Sequence, residues 1–137
     1  MADAFDVLLK VARTRRDAAS HAMNAAQQAV TQARGELANL DGLARAIRPT
    51  DETMFAVGAF LCQVSRRKQK LLDDLPGLER RLDVAKQEVF EAFGEFKRLE
   101  VLIERQARAA AQEEARRESQ YVDELAQLRY QQRSVRS

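Results

Sequence analysis

Residues 45–54 of the chain read RAIRPTDETM, and this short stretch marks the place where the chain is expected to reverse. Pro49 disfavours helical backbone at the residue before it, so a helix arriving from the N-terminal side is expected to end here. Thr50 is able to cap a following helix, and the two acidic residues after it suit the positive N-terminal end of that helix. Because so short a connection joins antiparallel neighbours, the stretch predicts a helical hairpin.

Apolar residues recur at alternating spacings of three and four on both sides of this turn, forming a line that we call the seam. On the N-terminal side, twelve of thirteen seam positions are apolar. These positions are Phe5, Leu9, Ala12, Arg16, Ala19, Met23, Ala26, Val30, Ala33, Leu37, Leu40, Ala44 and Ile47. On the C-terminal side, fifteen of seventeen are apolar. These are Met54, Val57, Leu61, Val64, Lys68, Leu71, Leu75, Leu78, Leu82, Ala85, Val89, Ala92, Phe96, Leu99, Ile103, Gln106 and Ala110. A seven-residue repeat kept this long is typical of helices that supercoil on a partner helix.

The sequence therefore predicts an all-α protein, an antiparallel two-helix coiled-coil hairpin with a longer C-terminal helix. We expect one elongated domain over residues 1–137, with a helix over 3–46, a turn over 47–51 and a long helix over 52–133. The first helix is too short to cover the second, so the second should overhang it from about residue 100.

Three polar residues, Arg16, Lys68 and Gln106, interrupt the seam, and pairing around the turn predicts what the first two face. If residue i lies opposite about 100 − i, Arg16 faces the neighbourhood of Ala85, and Lys68 faces Ala33. Small residues at both places leave room for a long side chain to reach solvent.

Pro76 and Gly77 interrupt the long helix, because an interior proline removes a backbone hydrogen bond and kinks a helix. The seam nevertheless continues in phase across them. Two interpretations follow: a continuous helix kinked near Pro76, or two helices with the second capped by Asp73 or Asp74.

Composition excludes several classes of protein. Slightly more than half of the chain is Ala, Glu, Lys, Leu and Arg, whereas aromatic residues make up only 6%. The net charge is +2 and no stretch is strongly basic, so we expect no nucleic-acid partner. The most apolar stretch, 54–62, is far shorter than the ~20 residues of a membrane helix. Without a signal-like N-terminus, we expect a cytoplasmic protein that does not insert into the membrane.

The sequence contains no set of residues that suggests a catalytic site. His21 is the only histidine and lies off the seam, and Cys62 is the only cysteine, which excludes an internal disulfide. Carboxylates have basic neighbours at helical spacing, as on salt-bridged surfaces. We therefore expect a protein that is not an enzyme and has no metal or other cofactor. The basic clusters 13–16 and 66–70 fit a solubilising face or an acidic partner.

Several apolar residues lie beside the seam, where a bare hairpin would leave them exposed. Phe55 and Phe90 lie on the outer side of the second helix and suggest a partner site. Leu8, Leu43 and Leu72 fit equally well as residues that widen the seam.

Three segments resemble a known family. They are residues 60–64 (FLCQV), which follow the turn, and residues 98–106 (RLEVLIERQ) and 121–127 (YVDELAQ) near the C-terminus. With a short first helix and a longer second one, they resemble the flagellar type III export stalk and escort proteins of the FliJ family. The interruption at Pro76 departs from the expected family pattern.

The resemblance implies partners and binding residues. Such proteins contact a hexameric export ATPase and an export-gate membrane protein, and they escort export chaperones. The gate-facing surface would lie near the turn, at Leu40, Leu43, Ile47, Phe60 and Val64. The ATPase-facing part would be the part of the second helix that extends beyond the first, including Arg105, Arg108, Arg116 and Arg117.

We therefore expect a monomeric stalk that couples the export ATPase to the export gate, cytoplasmic and peripheral at the inner-membrane export apparatus. Two alternatives remain: the equivalent stalk of a virulence type III secretion system, and a self-associating structural coiled coil. In the second, residues 100–133 would pair with another copy.

Overall fold

A computed structural model describes residues 4–136 of the chain, with side chains through Val135. Two α-helices form it: α1 spans Ala4–Ala46 and α2 spans Met54–Arg136. Ion pairs join Arg15 to Glu95 and Asp41 to Lys68, so the helices run antiparallel. The all-α hairpin with a longer second helix is confirmed. Asp3, the expected first residue of α1, lies outside the described residues.

The reversal between the helices is built by two threonines. The Thr50 backbone N–H donates to the Thr53 hydroxyl at 3.1 Å, and the Thr53 N–H donates to the Thr50 carbonyl at 3.0 Å. The Thr53 carbonyl then accepts the first helical hydrogen bond of α2, from Val57 at 2.9 Å. Thr53 therefore occupies the N-cap position that we expected for Thr50, because Thr50 is used to close the turn.

The core is a single line of side chains between the two helices. Among residues 4–135, seven are buried, and every one of them is a seam position: Ala12, Val30, Ala33, Val64, Leu71, Leu82 and Ala85. Only Val30, at 1% exposed, is almost completely covered. Two helices can bury only their facing stripes, so all other surfaces of the hairpin stay accessible to solvent or to a partner.

The pairing register differs from the expected one. Arg16 lies over the Phe96 ring rather than facing Ala85, and Lys68 meets Asp41 rather than Ala33. Partners on α2 thus lie about ten residues farther from the turn, nearly three helical turns. Residues 47–53 lie outside both helices and form the connection between them. Side chains tilt toward the N-terminus of their own helix, which carries those of α1 away from the turn and accounts for part of this shift.

Pro76 lies inside α2, which the structure describes as one helix rather than two. The flanking seam residues Leu75 and Leu78 are both half-buried, so the interhelical packing continues past the proline. The Pro76 side chain itself is exposed, which spares the core any steric conflict with its ring.

The part of α2 beyond α1 has almost no buried surface. Ile103 is the last apolar residue of α2 that is even half-buried, and from 104 to 135 only Glu113 is not exposed. These residues, which we call the overhang, span roughly 48 Å at 1.5 Å per residue.

Candidate functional site

Two rows of residues at seven-residue spacing define one face of the hairpin, which we call the groove face. The α1 row consists of Leu8, Arg15, Ala22, Ala29, Glu36 and Leu43, and the α2 row of Phe60, Arg67, Asp74, Arg81, Glu88, Glu95 and Leu102. Two ion pairs connect the rows: Arg15 to Glu95 at 3.3 Å and Glu36 to Arg67 at 2.6 Å. The rows therefore face each other across the helix interface.

The Glu36–Arg67 pair is the best-formed polar contact between the helices. Arg67 Nε donates to Glu36 Oε1 at 2.6 Å, and Arg67 Nη2 donates to Glu36 Oε2 at 3.1 Å. This two-point contact fits the planar guanidinium to the carboxylate. Hydrogen bonding to Arg67 lowers the pKa of the Glu36 carboxyl, and hydrogen bonding to Glu36 raises the pKa of Arg67.

The two basic clusters of the sequence are engaged within the hairpin. In cluster 13–16, Arg13 and Arg16 lie over the Phe96 ring, and Arg15 pairs with Glu95. In cluster 66–70, Arg67 pairs with Glu36 and Lys68 with Asp41. These cationic groups therefore help to hold α1 against α2.

Apolar side chains are exposed near the turn. Phe55 is 92% exposed and Met54 59%, directly at the start of α2. On the groove face, Leu43 is 47% exposed and Phe60 38%. These four side chains, which we call the turn-end surface, all lie near the turn and are left exposed by the hairpin.

Charge dominates the first half of the overhang. Arg116 donates to Glu113 at 2.7 and 3.2 Å, and hydrogen bonding to Glu113 raises the Arg116 pKa. Arg117 approaches the same carboxylate at 3.6 Å. Glu113 thus contacts both arginines, and with Glu114 and Glu118 beside them this segment carries mixed charge without a positive surplus.

A comparison with models of protein families matches residues 1–134 of the chain to the flagellar FliJ protein. The chain belongs to the FliJ family. FliJ proteins are non-catalytic components of the flagellar protein export apparatus, so this chain is assigned to that apparatus at the level of the family. Searches of curated proteins and of solved structures find no match.

In this FliJ family member, the turn-end residues predicted to face the gate differ in accessibility. Val64 is only 6% exposed and packs in the seam, and Leu40 and Ile47 are half-buried. Leu43, Phe55 and Phe60 supply the accessible apolar surface, with neighbouring Met54, which the sequence analysis did not propose as a binding residue.

The other predicted residues of this FliJ family member lie elsewhere. Phe90 is 81% exposed, far from the turn along α2. Arg105 and Arg108 are exposed on the overhang, together with Arg116 and Arg117. The structure thus separates the predicted residues into a turn-end group, a mid-length residue and an overhang group.

An apolar line at the end of the overhang lies outside the predicted binding residues. Tyr121 is 63% exposed, Leu128 55% and Val135 87%, at intervals of seven residues, with Leu125 between the first two. This seven-residue spacing is visible in the sequence, but the line is out of phase with the seam of residues 54–110. It is therefore a surface of the overhang alone.

The described part of this FliJ family chain also holds no metal site or membrane span. Among residues 4–136, His, Cys, Asp and Glu form no group of three suited to holding a metal ion. None of the helices described there has the length and apolar character needed to cross a lipid bilayer.

Proposed function

We propose that this FliJ family chain is a stalk that couples the flagellar export ATPase to the export gate and escorts export chaperones. The overhang carries the contact with the ATPase, and the turn-end surface carries the contact with the gate. The observation that supports this division is the unequal length of the two helices, since α2 continues from 104 to 135 with almost no buried residue.

A lone helix of this length is poorly stable in water unless its surface is covered. The overhang offers arginines at 105, 108, 116 and 117, together with the apolar line that ends at Val135. A ring-shaped ATPase would surround such a projecting helix and contact several of its faces at once.

The experiment compares ATP hydrolysis by the purified export ATPase with and without the chain at substoichiometric amounts. The full chain is expected to raise the hydrolysis rate, and a chain ending after Ile103 is expected not to. Circular dichroism of the shortened chain verifies that the hairpin remains folded. Full stimulation by the folded, shortened chain would exclude the overhang as the ATPase contact.

A double variant and a matched control test the proposed contact between the turn-end surface and the gate protein. Leu43→Ser with Phe55→Ser should weaken binding to the cytosolic part of the gate protein while preserving ATPase stimulation, because both side chains lie away from the overhang. The control replaces Leu72, which is 46% exposed but farther along α2, and should leave both properties intact.

Self-association is a second candidate function, favoured by the exposed apolar line at Tyr121, Leu125, Leu128 and Val135. Only two heptads are apolar, which is less than stable coiled-coil pairing usually requires. Light scattering after size exclusion separates the candidates, since a stable dimer at low micromolar concentration would support the structural coiled coil.

A further inference from the structure

The two flanks of α1 differ in chemistry. The flank away from the groove face is polar and contains Arg13, Ser20, Gln27 and Arg34 at seven-residue intervals. The flank on the groove face is apolar from residue 4 to residue 29, apart from Arg15. It comprises Ala4, Leu8, Val11, Ala18, Ala22, Ala25 and Ala29. A helix whose apolar stripe extends beyond the seam on one side is patterned to pack against two helices, but only α2 is present.

A groove runs between the helices along this flank. Its α1 wall is formed by Ala22, Ala25 and Ala29, and its α2 wall by Leu78, Val84 and Ala85. The groove continues past Ala18 to the Arg15–Glu95 pair. Short alanine side chains leave it open, and Val84 on its edge is 58% exposed.

Three charged residues of α2 line the rim of this groove without a counterpart on α1: Glu88, Arg81 and the neighbouring Arg80. Along the α2 row, Glu95 is paired with Arg15, and Arg67 is paired with Glu36. Between those pairs, Glu88 and Arg81 face the stretch of α1 that contains Ala22 and Ala29. Within residues 4–135, neither forms an ion pair.

Their own helix does not neutralise Glu88 and Arg81 either. The positions three and four residues from Glu88 are Val84, Ala85, Glu91 and Ala92, and those around Arg81 are Gly77, Leu78, Val84 and Ala85. None carries an opposite charge, so the usual i,i+3 and i,i+4 pairing is missing. An apolar groove is thus flanked by a negative group, Glu88, and, two helical turns away, by the positive Arg81 with Arg80 beside it.

We propose that this groove binds a third α-helix, supplied by a partner protein. The helix would be amphipathic, with a stripe of small apolar residues against the alanines. It would place a Lys or Arg against Glu88 and an Asp or Glu against Arg81, seven residues apart. This site lies on the side of the hairpin, between the two ends assigned to the ATPase and the gate, so it does not depend on either contact.

The dimensions favour a single helix over a second hairpin. The ion pairs Arg15–Glu95 and Glu36–Arg67 cross the groove face on either side of the alanine stretch. The apolar part between them, from Ala18 to Ala29, covers three helical turns, roughly 17 Å. A stable dimer needs about 800 Å² from each partner, which two hairpins would reach only by burying these polar pairs as well.

The probes are three synthetic amphipathic helical peptides that differ only at two positions seven residues apart: Lys and Glu, Glu and Glu, or Lys and Lys. Binding to the full chain is measured by fluorescence anisotropy. The Lys–Glu peptide should bind most tightly, by about fivefold, which corresponds to roughly 1 kcal/mol. The Glu–Glu and Lys–Lys peptides present the same pair of charges whichever direction they bind in. The preference for the Lys–Glu peptide therefore cannot arise from a control peptide that binds in the reverse direction.

Variants of the chain should change the preference predictably. Glu88→Arg should favour the Glu–Glu peptide, and Arg81→Glu should favour the Lys–Lys peptide. Both side chains lie at the rim, and circular dichroism verifies folding. The control Lys86→Glu, on the opposite side of α2, should leave the order of the three peptides unchanged.

The outcomes are decisive in each direction. A preference that follows the charge at residues 81 and 88 supports the groove as a helix-binding site. Equal binding of the three peptides, or binding of none, overturns it. A dimer of the chain alone that Ala25→Arg dissociates would also overturn it, because the occupant would then be a second copy.

Discussion

The Arg16 guanidinium lies over the Phe96 ring, with Cζ 4.4 Å from the ring centroid, at a seam position where coiled coils normally place an apolar residue. Phe93 lies 5.6 Å from the same guanidinium carbon. The Arg16 side chain is only 26% exposed. A cation placed against two rings is satisfied in one register only, so this contact helps to align the two helices.

The first prediction concerns this cation–π contact. A double-mutant cycle with Arg16→Ala and Phe96→Leu should give a coupling of about 1 kcal/mol in the free energy of unfolding, measured by urea denaturation. Lys10→Ala serves as the control, since Lys10 makes no cation–π contact within residues 4–135. Independent effects of Arg16 and Phe96 would contradict a direct interaction.

The second prediction separates core leucines from surface leucines. Leu82→Ala should lower the free energy of unfolding by about 2–3 kcal/mol, because Leu82 is buried in the seam and its removal leaves a cavity. Leu72→Ala, at a site that is 46% exposed, should lower it by less than about 1 kcal/mol. Equal losses would mean that Leu72 is covered in solution.

The third prediction concerns pH. Arg67 lowers the pKa of Glu36 in the folded protein, so the stabilisation by this pair is present above the carboxyl's unfolded pKa. It is lost as the pH falls through the lowered folded pKa. Glu36→Gln should therefore lower the melting temperature at pH 7, and the difference should vanish in acid. A difference that persists at pH 2 would contradict this assignment.

The fourth prediction concerns the glycine after Pro76. Nothing lies within 4 Å of a Cβ placed on Gly77, and its backbone conformation is open to any L-residue. Gly77→Ala should raise the free energy of unfolding by about 1 kcal/mol, because alanine restricts the unfolded chain and favours helix. Thermal melting followed by circular dichroism checks this, and a loss of stability would reveal an unseen packing constraint.

The fifth prediction concerns local stability along α2. Amides of the overhang should exchange with deuterium much faster than those near Leu82, because tertiary packing protects only the paired part of the helix. Addition of the export ATPase should slow exchange in the overhang specifically. Slow exchange in the free chain would instead indicate that the overhang is already covered by another copy.

Much of the fold could be read from the chain, since all seven buried residues fall on the seam that the apolar spacing predicts. The register could not, because Arg16 and Lys68 were matched to small residues, whereas they lie beside Phe96 and Asp41. Spacing along one helix carries no information about where the chain reverses. That point depends on the hydrogen bonds of Thr50 and Thr53.

The exposed residues of the candidate surfaces, too, could be predicted from the sequence only in part. Phe55 and Phe90 were recognised as exposed because they lie off the seam, and both are more than four-fifths exposed. Val64 was proposed for a partner although its seam position already implied burial. The unmatched charges of Arg81 and Glu88 were invisible in the sequence, since recognising them requires knowing that alanines lie opposite.

Two helices, their antiparallel arrangement and the seam follow from the amino-acid sequence, because apolar periodicity and a helix-ending proline act locally along the chain. Which residues of α1 meet which residues of α2 is established only when the helices pack. That choice rests on contacts distant in sequence, such as Arg16 with Phe96 and Arg67 with Glu36. The same contacts determine which apolar surfaces and charges remain open to a partner.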